Sequence, residues 1–505
     1  MNSIIVAIFG IAVLMAGYLF YGNVIKKLWG VNSHRPTPAK FRTDGVDYIP
    51  AKHWSVLFGH HFASIAGAGP ILGPVIACLY WGWGGAVLWL LIGSIFIGAV
   101  HNFSSLMISV RNEGKSVAFV RKDRLGKRAQ MIFSVFLWVS LILVIAVFAA
   151  VGGETLASKP QIVIPALGTV PVALLMGMLL YRIRLNQLIS TLIGLILLAG
   201  LIILGYKHPV SLTLVENPAT VWTVILLTYA FIASILPVNI LLQPRDYLSA
   251  FLLFLGLFGG YLGLLITRPQ INAPAFIGFS TQQGQLWPMM FVIIAGGPIS
   301  GFHSVVSSGT TLKQLSSEAH AKKIGFGAMI TESGWIVTFS EGFGQLTKPL
   351  LGGFGATILN TFIITTLDSA TRITRYITEE LLNIKNIFLS TSVIIGSSLY
   401  LALGNYEKIW PIFGASNQLV AALAFLVISA YLLSKNKRTV FTVLPALFMF
   451  ITSSGGLIWQ LIGFIEEKNY ILILIDIVLL ILAGYIFFIT VLFYLDNYKK
   501  NYARS

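Results

Sequence analysis

The chain has 505 residues, of which 56% are hydrophobic and only 10% are charged, and its formal net charge is +16. A soluble domain carries roughly a quarter charged residues, so this composition excludes a soluble globular protein and predicts an integral membrane protein. The single cysteine, Cys78, excludes a disulfide framework and a thiolate metal site.

Fifteen apolar runs follow one another with short polar breaks, and each is long enough to cross a hydrocarbon core of about 30 Å. In chain order, the predicted spans cover residues 3–25, 55–81, 84–110, 129–151, 165–181, 186–205, 219–242, 247–267, 287–308, 324–344, 350–370, 387–404, 409–433, 439–464 and 470–495. The basic residues of the first run follow it instead of preceding it, so we interpret it as a retained helix rather than a signal peptide.

The basic residues predict the orientation of these spans. Twenty-eight of the 34 lie in loops after odd-numbered spans, and six lie in loops after even-numbered spans. The positive-inside rule then predicts an N-terminus outside and a C-terminus in the cytoplasm of a prokaryotic cell (inner) membrane. The basicity is therefore a topology signal, and the expected partners include membrane lipid but no nucleic acid.

Two predicted spans contain helix-breaking residues, which a membrane tolerates only beside protein or a polar cavity. Span two includes "HHFASIAGAGPILGP" (60–74) and is expected to break at residues 67–70, with Pro70 starting a new half-helix. Span seven is expected to break near Ser234, with Pro237 in the same role. The alternative is a pair of glycine or proline kinks that bind no ligand.

Each broken span opens a group of five, and the expected orientation inverts one group relative to the other. This pattern predicts an all-α membrane protein with an inverted repeat of five plus five helices, as in many secondary transporters. The expected parts are an N-terminal helix (1–28), a first repeat (55–205), a second repeat (219–370) and about four C-terminal helices (387–495). Unwound backbone at the breaks would supply amides for a carboxylate and carbonyls for a cation.

Ionisable side chains are costly inside a membrane, which makes them candidates for function. Half of the eight histidines fall in predicted spans: His60, His61, His101 and His303. Imidazole titrates near pH 6.5, so these four are candidates for proton coupling, with helix packing as the alternative for each. A metal site is not predicted, because no two histidines are spaced i, i+4.

A candidate cation site combines the backbone carbonyl of Ile65 with Ser304, Ser307 and Ser308. The three serines are spaced i, i+3, i+4 and share one helical face, where their oxygens suit a hard cation. Close helix packing is the alternative for these serines.

In span eleven, Asp368 and Arg372 are spaced i, i+4 and are predicted to form an ion pair that gates the cytoplasmic side. A structural pair at the membrane interface is the alternative. No phosphate-binding loop is present, and no nucleophile, base and orienting residue fall at recognisable spacing. We therefore expect no cofactor and no enzymatic activity, and transport would run on an ion gradient.

Six motifs, in order along residues 30–430, resemble the carbon starvation protein A (CstA) family. They are "HHFASIAGAGPILGPVIA" (60–77), "QPRDYLS" (243–249), "INAPAF" (271–276), "LWPMMFVIIAGGPISGFHSVVSSGTT" (286–311), "TTLDSATR" (365–372) and "WPIFGASNQLVAA" (410–422). The resemblance implies the amino acid–polyamine–cation superfamily, a LeuT-like repeat, and starvation-related uptake of peptides or pyruvate by proton symport. It places the substrate at Ala66, Gly67, Ala68, Gly69, Pro70, Ile71, Ser234, Pro237 and Phe302.

The leading hypothesis is a secondary active transporter that imports short peptides, or pyruvate-like small carboxylates, by proton symport. A sodium-coupled symporter and a channel or solute sensor of the same fold are the alternatives. The sequence leaves the choice between peptide and pyruvate open.

Overall fold

The structure is a computed structural model, and it describes residues 3–66, 68–117, 126–268, 270–271, 273–294, 296–342, 349–404 and 406–502. Its helices are α1 (Ser3–Ala16), α2 (Gly22–Trp29), α3 (Pro38–Phe41), α4 (Trp54–Ile65), α5 (Ala68–Trp81), α6 (Trp83–Gly93), α7 (Ala99–Arg111), α8 (Gly126–Ser158), α9 (Val163–Gly177), α10 (Gln187–Lys207), α11 (Pro218–Ile235), α12 (Leu242–Thr267), α13 (Phe291–Ile293), α14 (Gly301–Val306), α15 (Gly327–Gly342), α16 (Pro349–Leu382), α17 (Ile387–Ala402), α18 (Tyr406–Leu433), α19 (Val440–Glu466) and α20 (Tyr470–Tyr502). Two short strands, β1 (Ser280–Thr281) and β2 (Gly284–Gln285), form an antiparallel hairpin.

Wide π-type turns join or extend several of these helices. Residues Gly17–Tyr21 connect α1 to α2, Ser94–Gly98 connect α6 to α7, and Ser307–Thr311 extend α14. These joints make continuous rods of Ser3–Trp29 and Trp83–Arg111. The rods are long enough to cross a bilayer at about 1.5 Å per residue.

In the part of the chain that the structure describes, ten helices are long and apolar enough to cross a membrane. A bent pair, Asn360–Leu382 with Ile387–Ala402, makes an angle of 111° and would be an eleventh. The expected count of fifteen is thus not confirmed. Predicted spans two and nine are each split into short helices, and the end of span ten (324–344) lies outside the described residues, so these three are not counted among the long helices.

The centre of the bundle is α18, whose apolar window is 94% buried, and α8 packs against it. The outer helices α10 and α20 are only 28% buried over their windows and expose large aliphatic side chains. Apolar residues on all sides of a helix indicate contact with lipid on one face and protein on the other. The chain is therefore an integral membrane protein, as its composition predicts.

Candidate functional site

The predicted break in span two is present. Helix α4 ends at Ile65, Ala66 leaves the helical conformation with a ψ of 79°, and α5 begins at Ala68. Pro70 therefore lies in the first turn of the second half-helix and does not start it. Proline is tolerated there because the amide it removes has no partner within the helix. Gly67 lies outside the described residues, and the side chains of Ala68 and Ile71 are likewise not described.

The second break is in a different helix from the predicted one. Helix α11 continues through Ser234 to Ile235, and Pro237 lies in a turn that leads into α12. The expectation of a half-helix starting at Pro237 was wrong, because the proline there separates two complete helices. The second broken helix is span nine, where residues 296–300 are not helical between α13 and α14. The glycines and proline of "GGPIS" at these positions are the sequence signal that could have predicted this break.

The two broken helices pack break to break. The Gly296 backbone lies against Pro70, since a Cβ added to Gly296 would be 2.9 Å from the Pro70 Cδ. A Cβ added to Gly73 would be 2.2 Å from the Ile293 carbonyl oxygen. Glycine at position 73 is therefore required by the close approach of the two backbones.

A small cavity lies between the breaks. It is lined by Ile65, Gly69, Pro70, Val144, Phe148, Gly296, Ser300, Phe302, His303, Thr366, Phe413 and Asn417. Its volume of about 20 Å³ is room for one water molecule. Three predicted substrate residues (Gly69, Pro70, Phe302), one predicted cation ligand (Ile65) and one predicted proton carrier (His303) meet here. The buried Ala66 directly follows the end of α4, whereas Ser234 and Pro237 do not line this cavity.

Asn417 of α18 holds the start of α14 in place. Its Oδ1 accepts from the Phe302 amide at 2.8 Å and from the Ser300 hydroxyl at 3.2 Å. Its Nδ2 lies 2.9 Å from the Ser300 Oγ. A side chain from another helix thus satisfies an amide that the break leaves open. The sequence contained "ASNQL", but polar residues inside an apolar helix did not by themselves reveal this partner.

Two predicted proton carriers, His101 and His303, belong to a buried group beside the cavity. The His303 Nε2 is 3.7 Å from the Glu332 Oε1, and the His101 ring packs on Phe425 with centroids 4.8 Å apart. Ring nitrogens of both histidines and both Glu332 carboxyl oxygens have no hydrogen-bond partner among the described residues. Glu332 was not a predicted site residue, although a carboxyl inside an apolar span is a signal for function.

His61 belongs to a neutral network. Its Nδ1 is 2.8 Å from the Thr311 hydroxyl, and its Nε2 is 2.9 Å from the Asn102 side-chain nitrogen. The Ser307 hydroxyl donates to the Asn102 side-chain oxygen. The network therefore consists of a histidine, an amide and hydroxyls, with no carboxylate directly bonded to the ring.

The serines of the predicted cation site have protein partners. The Ser304 hydroxyl donates to the Gly301 carbonyl at 2.7 Å, and the Ser308 hydroxyl accepts from the Val117 amide at 3.2 Å. Together with the Ser307 bond, this engages all three hydroxyls in packing contacts. Among the described residues no group of three or more histidine, cysteine or acidic side chains could hold a metal. The cation site with Ile65 stays a prediction.

His60 belongs to a charged cluster buried between α4, α11, α12 and α16. Its Nδ1 is 2.5 Å from the Asp246 Oδ2. The Arg245 guanidinium donates to Asp246 and, through Nη2 at 3.0 Å, to the Asp368 Oδ1. The Tyr229 hydroxyl also donates to Asp368, at 3.0 Å. We call His60, Tyr229, Arg245, Asp246 and Asp368 the inner cluster.

The inner cluster contains residues that the sequence did not identify. Arg245 and Asp246 lie in the "QPRDYLS" motif at the start of α12, and both side chains are buried. Arg245 was counted among the loop residues that set the orientation, since it falls between two apolar runs. Two adjacent opposite charges at the start of an apolar helix are the sequence signal that could have predicted a buried pair.

The predicted ion pair between Asp368 and Arg372 is not formed, because each side chain has another partner. Asp368 pairs with Arg245, whereas the Arg372 Nη1 is 2.7 Å from the Asp47 Oδ1. Arg375 pairs with the same Asp47 at 3.3 Å, and the Tyr376 hydroxyl donates to it at 2.7 Å. The helical spacing allowed the i, i+4 pair, but charges from other helices and the loop lie closer.

A second cluster is centred on Asp47, which belongs to the loop before α4. The Lys313 ammonium lies 3.3 Å from the centre of the Tyr376 ring, and Glu379 and Glu380 of α16 complete the group. We call Asp47, Lys313, Arg372, Arg375, Tyr376, Glu379 and Glu380 the outer cluster. Burial alone would raise the pKa of Asp47, but the charges of Lys313, Arg372 and Arg375 hold it well below its usual range.

The polar groups follow one another along α16. Thr366 lines the cavity, Asp368 belongs to the inner cluster, and Arg372 and Arg375 belong to the outer cluster. At about 1.5 Å per residue, Thr366 and Arg375 are separated by roughly 13 Å along the helix. Along α16 the inner cluster therefore lies between the cavity and the outer cluster that contains Asp47.

A bundle of long apolar helices in which two broken helices meet at a small internal cavity has the architecture of a membrane transporter rather than an enzyme. The chain belongs to the carbon starvation protein family. The family model described as "Carbon starvation protein CstA" matches residues 2–340 and 337–455.

Relatives agree with this class, and a solved structure shares the fold. The chain is 29% identical to the "Peptide transporter CstA" of Campylobacter jejuni, over 93% of this chain and 82% of the relative. It is 30% identical to the "Pyruvate/proton symporter BtsT" of Escherichia coli, over 90% and 81% of the two chains. It is 30% identical to the "Peptide transporter CstA" of Bacillus subtilis, over 91% of each. A mutant manganese transporter of Eremococcus coleocola shares the fold, with a TM-score of 0.52 at 13% identity over 90% of this chain and 99% of its own.

Proposed function

We propose that this chain is a secondary active transporter that imports short peptides or pyruvate-like small carboxylates by proton symport. The observation that carries the proposal is the meeting of two broken helices at a small internal cavity. Unwound helices at the middle of a bundle are the usual substrate site of such transporters. The substrate classes come from the names of the relatives, which are peptide transporters and one pyruvate/proton symporter.

The proposed substrate site is the cavity between the breaks, with Ala66, Gly69, Pro70, Phe302 and His303 at its wall. A typical ligand site has a volume of at least roughly 300 Å³, far above the present cavity. Binding of a peptide or of pyruvate therefore requires α4–α5 and α13–α14 to move apart. The structure corresponds to a closed arrangement in which the broken helices touch.

The proposed setting is the prokaryotic inner membrane, surrounded by lipid, with the N-terminus outside and the C-terminus in the cytoplasm. The LeuT-like 5+5 inverted repeat, the fifteen spans and the limits of the repeats stay predictions. The gating role of Asp368 and Arg372 also stays a prediction, although the ion pair between them is not formed.

Purified protein in proteoliposomes tests the proposal. Uptake of radiolabelled pyruvate and of the dipeptide Ala-Ala is measured under a pH gradient alone and under a sodium gradient alone. We expect accumulation of one of the two substrates under the pH gradient. Accumulation driven only by sodium supports the sodium-coupled alternative, and uptake that ignores both gradients contradicts symport. Flux well above carrier rates supports a channel.

A matched pair of phenylalanine variants tests the site. Phe302 is buried at the cavity wall, whereas Phe258 is 67% exposed on the outer surface of α12. We expect Phe302→Ala to raise the KM for the transported substrate by about tenfold, the equivalent of roughly 1.4 kcal/mol, and Phe258→Ala to leave it unchanged. Equal KM values for both variants and the wild type would place the substrate elsewhere.

A further inference from the structure

The inner cluster contains one more negative charge than positive charge when His60 is neutral. Arg245 carries the positive charge, and Asp246 and Asp368 carry the two negative charges that it bridges. All three side chains, and His60 itself, are almost fully buried. An uncompensated charge inside a membrane protein is costly, so the cluster favours the uptake of one positive charge.

Neighbouring charges do not supply that compensation. The outer cluster is already balanced, with Lys313, Arg372 and Arg375 set against Asp47, Glu379 and Glu380. Its closest member to Asp368 is Arg372, whose guanidinium is bonded to Asp47 and to the carbonyl oxygens of Ala233 and Leu236. Arg372 therefore compensates charge in the outer cluster and not in the inner cluster.

The remaining titratable groups that face the inner cluster are neutral or already counted. Tyr229 of α11 donates to Asp368 and is a phenol. His61 of α4 follows His60 in the chain but bonds to Thr311 and Asn102. Ser64, Ser369 and Thr310 contribute hydroxyls only. Among the described side chains that face the cluster, His60 is therefore the uncharged basic group in contact with the excess negative charge.

We propose that the inner cluster is the binding site of the transported proton and that His60 is its acceptor. This inference rests on the proposed proton symport. The His60 Nδ1 faces the Asp246 Oδ2 at 2.5 Å, so a proton on the ring is held directly between imidazole and carboxylate. With His60 protonated the buried cluster is neutral, and with His60 neutral it carries one negative charge. The two states of the cluster thus differ by the one proton that a symporter carries.

The inner cluster is connected to the cavity by three elements that belong to both. Helix α4 carries His60 and, about 7.5 Å further along, Ile65 at the cavity wall. Helix α16 carries Thr366 at the cavity and Asp368 in the cluster. The π-type turn that extends α14 carries Thr310, whose Oγ1 is 3.3 Å from the His60 Nε2. Separation of the broken helices by substrate therefore moves the partners of His60, which couples substrate and proton.

Charge-changing variants test the inference in proteoliposomes. His60→Gln fixes the excess negative charge, Asp246→Asn removes it, and the double variant is neutral without a titrating ring. Two rates are measured: uptake driven by a pH gradient, and counterflow of the transported probe, pyruvate or Ala-Ala, at equal pH on both sides. The matched control is His208→Gln, since His208 is an exposed histidine beyond the end of α10.

We expect wild-type counterflow to fall by about fivefold or more between pH 6 and pH 8, because a cluster that has bound no proton keeps its buried excess negative charge. His60→Gln should lose gradient-driven uptake and slow counterflow by about tenfold. The double variant should recover counterflow relative to His60→Gln, independent of pH and without gradient-driven uptake. His208→Gln should behave as the wild type.

Failure of the double variant to recover counterflow, although it elutes as a folded protein and shows a cooperative thermal transition, overturns the assignment to the inner cluster. Gradient-driven uptake that survives in His60→Gln also overturns it, and the proton site then lies elsewhere, as in the pair of His303 and Glu332. Wild-type uptake that ignores the pH gradient refutes the proposed symport itself. The variants therefore test this inference, whereas the wild type tests proton symport itself.

Discussion

Asp47 and Arg372 form an ion pair with 2.7 Å between Oδ1 and Nη1, although they are 325 positions apart in the chain. The pair ties the loop before α4 to α16, and Arg372 also donates to the Ala233 carbonyl at the end of α11, at 2.8 Å. The loop before α4 and the long helices α11 and α16 thus meet at this ion pair. Asp47 accepts from Arg375 and Tyr376 as well, so its removal leaves several buried groups without their partner.

We expect Asp47→Asn to lower the free energy of unfolding by on the order of 3 kcal/mol, because breaking a buried ion pair leaves an uncompensated charge. The midpoint of thermal unfolding in detergent measures the change. Glu113→Gln is the matched control, since Glu113 pairs with Arg42 at 2.5 Å but the two side chains are 66% and 42% exposed. That control should change stability by less than about 1 kcal/mol.

The same variant has an expected pH dependence. The pKa of Asp47 is held below its usual range, so the stabilisation from its charge is present above the unfolded value of about 4 and is lost as the pH falls through the folded value. The difference in unfolding midpoint between wild type and Asp47→Asn should therefore be constant from about pH 5 to pH 7 and shrink only in stronger acid. A difference that disappears at neutral pH contradicts the ion pair.

The contribution of Lys313 to stability should change with pH in the alkaline range, whereas that of Asp47 changes in acid. Burial lowers its pKa to about 8, although Asp47 and Glu380 act to raise it. Between about pH 8 and pH 10 the folded protein holds a neutral Lys313 while the unfolded chain still binds the proton, so the contribution of this residue to stability rises with pH. We expect the wild type to gain roughly 1–2 kcal/mol over Lys313→Gln between pH 8 and pH 9.5. Parallel pH curves for the two proteins would show that Lys313 titrates like an exposed lysine.

Gly73 tests the contact between the two broken helices. A methyl group at this position would meet the Ile293 carbonyl oxygen at 2.2 Å, so Gly73→Ala forces α5 and α13 apart. We expect a loss of stability of roughly 1–3 kcal/mol and a strong loss of substrate uptake. Gly396→Ala in α17 is the control, because an added Cβ there has open space within 4 Å. If both alanine variants unfold and transport like the wild type, the breaks do not pack as described.

The sequence predicted the class of protein, a membrane transporter, and one of the two broken helices that form the site. The apolar runs identify the membrane helices, since lipid imposes length and composition on each of them. The break after Ile65 follows from glycine and proline, which act locally on the backbone. The second break was missed because Pro237 and the Gly-Pro at 297–298 look alike in sequence. Only the packing of whole helices shows which proline ends a helix and which opens one.

The charged clusters could not be predicted from the sequence, for a different reason. Arg245 and Arg372 lie near the ends of apolar runs, where a count of basic residues treats them as loop charges. Their partners, Asp368 and Asp47, are distant in the chain, and an i, i+4 spacing suggested a pair that long-range contacts replace. Local spacing shows which pairs are possible, whereas the choice among them depends on tertiary contacts.

The Asn417 side chain is expected to hold the start of α14 in place. Its side chain accepts from the Phe302 amide and exchanges hydrogen bonds with Ser300, both at the cavity. Asn417→Ala leaves a buried amide and a buried hydroxyl without partners, at a cost of roughly 1–3 kcal/mol. Because α14 then loses its anchor to α18, we expect uptake to fall by about tenfold or more as well.

The neighbouring Ser416 supplies the control for this prediction. Its hydroxyl donates to the Phe413 carbonyl of its own helix at 3.2 Å, so Ser416→Ala removes a polar group from the same turn of α18 without touching the break. We expect stability within about 0.5 kcal/mol of the wild type and unchanged uptake. Initial rates of pyruvate or Ala-Ala uptake, measured with the unfolding midpoint of each variant, separate the two effects. Unchanged uptake in Asn417→Ala would show that α14 keeps its position without α18, and the break would then be held by its contact with Pro70 alone.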